Sequence, residues 1–314
     1  MTAMIRVKAR HRATCDDPRH RNKEAKMSYK SILTVVTNPA KAEAAIFAAA
    51  QMALGFDAHL DVLALGVDQA QVGYAYLGAG AVLSEFSYEQ AETDARACAD
   101  AANAALREID PTLRCSVETV VAEMGSLTAV VGNAASFIDL VVQTRPYGAG
   151  QSYQAEAVVE AALFEGRAPV LIVPDTLAGQ TDALKQMAHP HRILLAWNQS
   201  TEALAAVKRA LPLLKLADLV DITVVDPPVR GPDRSDPGGV LCQFLVRHGV
   251  KAQVSVLAKT TSKISDVLAQ HAMDEGCDMM VMGAYGHSRL REAVLGGATR
   301  AVLEGSRIPV LMAH

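Results

Sequence analysis

The run Ser31-Ile-Leu-Thr-Val-Val36, followed by Thr-Asn-Pro and an alanine-rich stretch, returns as Arg192-Ile-Leu-Leu-Ala-Trp197, followed by Asn-Gln-Ser and a second alanine-rich stretch. Each reads as a buried strand feeding a helix, because a short apolar run ends in turn-forming residues and gives way to helix formers. Two further pairs repeat in the same way. Ile138-Asp-Leu-Val-Val142 matches Cys277-Asp-Met-Met-Val281, and Ala168-Pro-Val-Leu-Ile172 matches Ile308-Pro-Val-Leu-Met312, each pair about 140 residues apart. Self-similarity at a fixed period means one structural unit used more than once. Two such units account for most of the 314 residues.

Within each unit, short apolar runs alternate with stretches of helical periodicity. The first predicts strands near 31–36, 59–65, 115–121, 138–143 and 170–173, and helices near 39–54, 86–108, 125–136 and 153–165. The second predicts strands near 192–197, 219–225, 252–257, 278–282 and 309–312, with helices near 201–214, 237–248, 262–275 and 298–305. Strands that mostly read as continuous apolar runs and alternate with helices imply parallel sheets covered on both faces. The expected class is α/β, with two tandem doubly wound parallel five-stranded sheets of Rossmann-like form. The expected domains are a first repeat over 27–175, a polar linker over 176–190 and a second repeat over 191–314. Segments 66–84 and 227–238 sit between second strand and second helix of each repeat, where insertions become loops at the carboxyl edge of the sheet. The last strands, 169–173 and 309–312, are apolar and uncharged, and an edge without charge needs covering. Pairing of these strands with each other, giving an intramolecular pseudo-dimer, is the expectation.

Composition removes several classes of function. Half the residues are hydrophobic and 20% are charged, which excludes wholesale disorder. The longest uncharged stretch, 69–84, contains Gly78-Ala-Gly-Ala81 and falls short of the ~20 apolar residues that span a bilayer. A net charge of −4 and 14 aromatic residues offer neither a basic face nor a stacking platform for nucleic acid. The five cysteines, Cys15, Cys98, Cys115, Cys242 and Cys277, are scattered and form no C-x-x-C, which argues against a disulfide framework or a zinc site and for a reducing, cytoplasmic setting. Residues 1–26 carry eight Lys or Arg against Asp16, Asp17 and Glu24. With no apolar core segment or cleavage pattern, they read as a disordered basic extension rather than a secretory signal.

In an open parallel sheet the ligand crevice lies beyond the carboxyl ends of the strands, at the topological switch point. There the second repeat carries Gly283-Ala-Tyr-Gly286, then nine residues, then Gly296-Gly297-Ala298-Thr299 opening the last helix. Such glycines let backbone approach a ligand, and a glycine-rich helix start offers unpaired N–H groups and the positive end of the helix dipole, as a triphosphate requires. The sequence here resembles the universal stress protein family in its tandem form, over about residues 28–314, by the Gly-x2-Gly-x9-Gly pattern and the Asp before each fourth strand, Asp139 and Asp278. The resemblance implies an architecture shared with nucleotide alpha-hydrolase enzymes. It also implies phosphate binding at Gly283, Gly286 and Gly296, continuing over Gly297, Ala298 and Thr299, and an adenine pocket walled by Met282, Val224 and Ala196. Two departures matter. Gly297 stands where the family has Ser or Thr, losing a hydroxyl that Thr299 is placed to replace in part, and Asn198 stands where it has Asp.

The first repeat has Thr144 and Tyr147 at the places of the first two glycines, and Thr37-Asn38-Pro39 after its first strand, so its site reads as degenerate; Arg145 is a candidate for a different anion. Gly148-Ala-Gly150 lacks the third glycine of a dinucleotide fingerprint because Tyr153 occupies it. Gly286-His-Ser288 is not a nucleophile elbow, since Leu290 takes the last glycine's place. No Gly-Lys-Ser/Thr occurs. His189-Pro-His191 has no partner cluster for a metal, and His287, Arg289 and Arg291 read either as phosphate contacts or as a solvated basic loop. The resemblance implies a cytoplasmic protein acting in stress response or signalling. It would bind ATP or another adenine nucleotide, with or without Mg, through the second repeat and act through protein contacts, with room for a homo-oligomer. No catalytic or metal-ligating residue is expected, and turnover is limited to slow ATP hydrolysis. The alternative is an interaction scaffold with two vestigial pockets.

Overall fold

The computed structural model describes residues 28–69, 80–148, 150–227, 236–284 and 297–314; the expected extension over 1–26 lies outside the described residues. The first half contains β1 (Ser31–Val36), α1 (Ala42–Phe56), β2 (His59–Asp68), α2 (Gly80–Arg107), β3 (Arg114–Glu123), α3 (Leu127–Ala135), β4 (Leu140–Thr144), α4 (Tyr153–Phe164) and β5 (Val170–Val173). A short helix, α5 (Thr181–Gln186), leads into β6 (Arg192–Ala196), α6 (Thr201–Leu214), β7 (Leu219–Val225), α7 (Gly239–Arg247), β8 (Ala252–Leu257), α8 (Ile264–Asp274), β9 (Met279–Gly283), α9 (Gly297–Gly305) and β10 (Val310–Ala313).

Among the described residues all ten strands join one sheet in the order β3-β2-β1-β4-β5-β10-β9-β6-β7-β8. Each half has the doubly wound order and is parallel throughout. The halves meet where β5 and β10 pair antiparallel, Val310 opposite Ile172 and Met312 opposite Val170. The two five-stranded sheets expected from the sequence therefore share a border and form one ten-stranded sheet.

The central strands are buried on both faces, β1 and β5 almost completely, as their β-branched and Leu-rich runs require. Two hydrophobic cores result, one on each face. One is covered by α1, α2, α5, α6 and α7, the other by α3, α4, α8 and α9. Both run across the seam, since Leu171 and Leu311 belong to the first and Val170, Ile172, Val310 and Met312 to the second.

Local chemistry explains the boundaries. Ser152 and Ser200 cap α4 and α6 by accepting from Ala155 N at 3.3 Å and Ala203 N at 3.1 Å. The repeated Asp before the fourth strand has a structural role in both halves. Asp139 accepts from Lys30 N and Ser31 N at 2.7 and 3.1 Å, and Asp278 from His191 N and Arg192 N at 2.8 and 3.1 Å, tying the entries of adjacent strands together.

The structure differs from the sequence reading in two places. Helix α2 begins at Gly80 rather than near 86, and β2 extends to Asp68, so part of the expected 66–84 loop is regular structure. The polar segment 176–190 is not an open linker. It holds α5, buries Leu184, Met187 and Ala188 in the first core, and packs Ala188 against Gly55 of α1, where a β-carbon would collide.

Candidate functional site

Three neighbouring strands, β7, β6 and β9, carry Val224, Ala196 and Met282–Gly283 near their carboxyl ends, with Ala196 beside Thr223 of β7. Ala196, half-buried, and Met282, buried, pack on the face of the second core and make an apolar wall suited to a flat ring, whereas Val224 is buried on the opposite face, against Gly238 at the start of α7. This is the switch point of the second half, because the chain leaves β6 toward β7 on one side while β9 lies on the other. Gly297, Ala298 and Thr299 form the first turn of α9. Gly286 and Gly296 lie outside the described residues, as do His287, Arg289, Arg291 and the nucleophile-elbow sequence.

Two helix starts border this crevice, and they differ electrostatically. The α6 start is occupied by its own residues: Ser200 caps it, and Glu202 lies in its first turn. Burial works against the charged form of Glu202. The hydrogen bonds it accepts from its own backbone N–H and from the Ser200 and Thr201 hydroxyls, with His314 nearby, nevertheless hold its carboxyl below the usual range. The α9 start carries no acidic residue in its first turn. Of the two, α9 is the end that favours an anion.

Three of the expected ligand residues have structural roles of their own. A β-carbon on Gly283 would lie 2.5 Å from Ala203 N and 2.8 Å from the Glu202 carbonyl carbon, so glycine is needed there for α6 to approach β9. Asn198 is exposed and accepts from Ser200 N at 3.1 Å, as Asn38 accepts from Ala40 N at 3.0 Å in the first half. Both asparagines close the turn from first strand to first helix. Thr299 is buried and engaged within the fold, so replacement of the hydroxyl missing at Gly297 has no support from its position.

The corresponding crevice of the first half is filled by its own side chains. About 40 Å³ remains among Val35, Thr37, Asn38, Lys41, Gln143 and Thr144, far below the ~300 Å³ at which small-ligand sites begin. Lys41 Nζ donates to Gly150 O at 3.0 Å and to Gln151 Oε1, closing the rim. Arg145 is turned to the other half, donating to Glu304 O at 2.8 Å and Ser306 O at 2.9 Å at the end of α9. The buried Tyr147 lies under the Arg300 guanidinium, 5.0 Å from its ring centre. Arg145 and Tyr147 of the first half thus grip a helix of the second, a role that spacing alone does not reveal.

Among the described residues no three His, Cys, Asp or Glu side chains converge on a point that could hold a metal, and His191 is paired with Asp218 at 2.9 Å, which raises its pKa. Burial pushes the Cys98 and Cys277 thiols up to about 11, where thiolate chemistry at neutral pH is suppressed. No described helix is long and apolar enough to cross a membrane.

Residues 190–314 match the family model described as the universal stress protein family. Universal stress protein Slr1230 of Synechocystis is 29% identical over 128 residues, which are 40% of this chain and 44% of that protein; the chain spans under half of that relative's length. A universal stress protein from Archaeoglobus fulgidus superposes with a TM-score of 0.58 at 15% identity, covering 90% of this chain and 96% of that one. A protein from Pseudomonas aeruginosa described as a putative universal stress protein gives 0.52 at 15% identity, covering 92% and 94%. The resemblance read from the glycine pattern is thereby shown over the second half, and the fold over nine-tenths of the chain.

Proposed function

We propose that this chain, whose residues 190–314 are a universal stress protein domain, binds one adenine nucleotide in its second half and acts through nucleotide-dependent contacts with other proteins in stress response or signalling. The observation that carries this reading is the pairing of an apolar wall, Ala196 and Met282, with the acid-free start of α9 on the same face of the sheet. The wall suits the adenine ring. The first turn of α9 supplies backbone N–H donors and the helix dipole to the phosphates. No general base or nucleophile belongs to this set, so the chain is read as a binding protein, with slow hydrolysis of ATP as the upper limit of its chemistry.

A second reading, an interaction scaffold without nucleotide, is favoured by Gly283 and Asn198, whose identities the packing of α6 and its entry turn already require. The two readings separate at Gly286. Heating the purified protein should release adenine nucleotide, and Gly286→Val should abolish rebinding without lowering the melting temperature. Gly283 is unsuitable for this test because its substitution disturbs packing. Failure to bind any adenine nucleotide in the unaltered protein would leave the scaffold.

A further inference from the structure

Helices α8 and α9 cover the same face of the sheet, yet a cleft of about 300 Å³ separates them. Met280, Ala272 and Val302, all buried, form its floor, and Ala269, Met273 and Ala301 its edges. The sister half closes the same junction. There a β-carbon on Gly132 of α3 would collide with Glu165 Cβ, and one on Gly166 would lie 2.6 Å from Ala135 Cβ, so α3 meets the end of α4 directly. Counting back from Pro169 and Pro309 sets Gly305 opposite Glu165 and Ser306 opposite Gly166. Around the place of a β-carbon on Gly305, no described atom beyond its own helix turn lies within 4 Å. The contacts that shut one half are missing from the other, so the cleft belongs to this sequence and is not demanded by the fold.

Its lining defines what fits. Asp266 and Arg307, one acid and one base, are both exposed at the rim, which leaves no net charge to draw an ion. Met273 and Met280 contribute thioethers, which adapt their shape and favour contact with aromatic rings. An apolar cavity of about 150 Å³ takes up benzene, so twice that volume admits two fused rings, at the lower end of the ~300–1,000 Å³ typical of small-molecule sites. Two hydroxyls border the space. Ser306 Oγ is engaged with Ile308 O at 2.7 Å, whereas Ser265 Oγ, only 6% exposed, makes one hydrogen bond among the described residues, to Asp266 Oδ1 at 3.4 Å. Its lone pairs remain to accept a proton from a ligand.

We infer that the cleft between α8 and α9 is a binding site for an uncharged molecule of two fused aromatic rings with a single N–H or O–H donor, the rings lying on Met280 and Val302 and the donor on Ser265 Oγ. A purine is a poor fit, because its ring nitrogens each need a partner and the lining has one free hydroxyl. None of the residues assigned to the nucleotide lines the cleft, so this site stands whether or not adenine nucleotide binds elsewhere.

The test is calorimetric titration of the full chain with indole and with benzothiophene, which has nearly the same shape and no donor. The unaltered protein should bind one indole per chain. Ala269→Leu and Ala301→Leu fill the cleft from its two walls and should each abolish binding, while Ala129→Leu, which adds the same bulk at an exposed site of α3, should not. Ser265→Ala should weaken indole by roughly fivefold, the net worth of one neutral hydrogen bond, and leave benzothiophene unchanged. Ala269 is exposed, so its variant decides the matter should Ala301→Leu fail to fold. Absence of saturable indole binding, binding that survives Ala269→Leu, an equal loss in Ala129→Leu, or an equal effect of Ser265→Ala on the two compounds would overturn the inference.

Discussion

Asp61 and Asp221 hold the same place in the two halves, beside Leu33 and Leu194, yet they live in different surroundings. Asp221 is fully buried, its Oδ2 2.9 Å from His271 Nε2 of α8, and its Oδ1 has no hydrogen-bond partner among the described residues. Asp61 is 40% exposed and shares its carboxylate between Ser116 Oγ at 2.7 Å and His59 Nε2 at 3.4 Å. Removing one partner of a buried pair strands the other, at a cost of about 3 kcal/mol, whereas exposed pairs contribute under about 1 kcal/mol. His271→Ala should therefore lower urea-unfolding stability by about 3 kcal/mol and His59→Ala by under about 1 kcal/mol; equal losses would contradict the burial of Asp221. Nothing in the repeated Asp announces this difference, because burial depends on which helix covers the strand. The same limit applies to Gly283, whose place in the glycine pattern was legible but whose contact with Ala203 N was not, and to Arg145, which reads equally well as an anion ligand until its carbonyl partners are seen.

Elements were read more securely than side chains, because strand runs such as Ser31–Val36 and Val170–Val173 are apolar along their whole length and a period of two or 3.6 is visible without tertiary context. The exception is α5. Its polar sequence buries Leu184, and the two residues after the helix, Met187 and Ala188, are buried as well, a run too short for periodicity to register. Helix α9 also carries more than its length suggests. It begins at the last glycines of the repeated pattern and ends on Arg145, whose guanidinium satisfies carbonyl groups that the helix end would otherwise leave to solvent. Arg145→Ala should cost about 1–2 kcal/mol, from two charge-assisted hydrogen bonds at a partly exposed position. It should also speed amide exchange in α9 more than in α4. Unchanged protection of α9 would show that the contact has no mechanical consequence.

At the scale of the molecule, the seam is the feature on which both cores depend. Val310, Leu311 and Met312 are almost completely buried against Val170, Leu171 and Ile172, and uncharged strands of this kind are edges that must be covered. Val310→Lys places a charge in that border and should lower stability by several kcal/mol, on the order of the cost of an unpaired buried charge; a melting temperature within two degrees or so of the unaltered protein's would mean the halves do not share a core. The continuous sheet also gives the chain two crevices at related positions, one with about 40 Å³ free and crossed by its own lysine, the other with an apolar wall and an acid-free helix start. That asymmetry is the central claim, and titration of the full chain with ATP tests it most directly. The account predicts a stoichiometry near one nucleotide per chain, abolished by Gly286→Val, and a stoichiometry of two or no binding at all would contradict it.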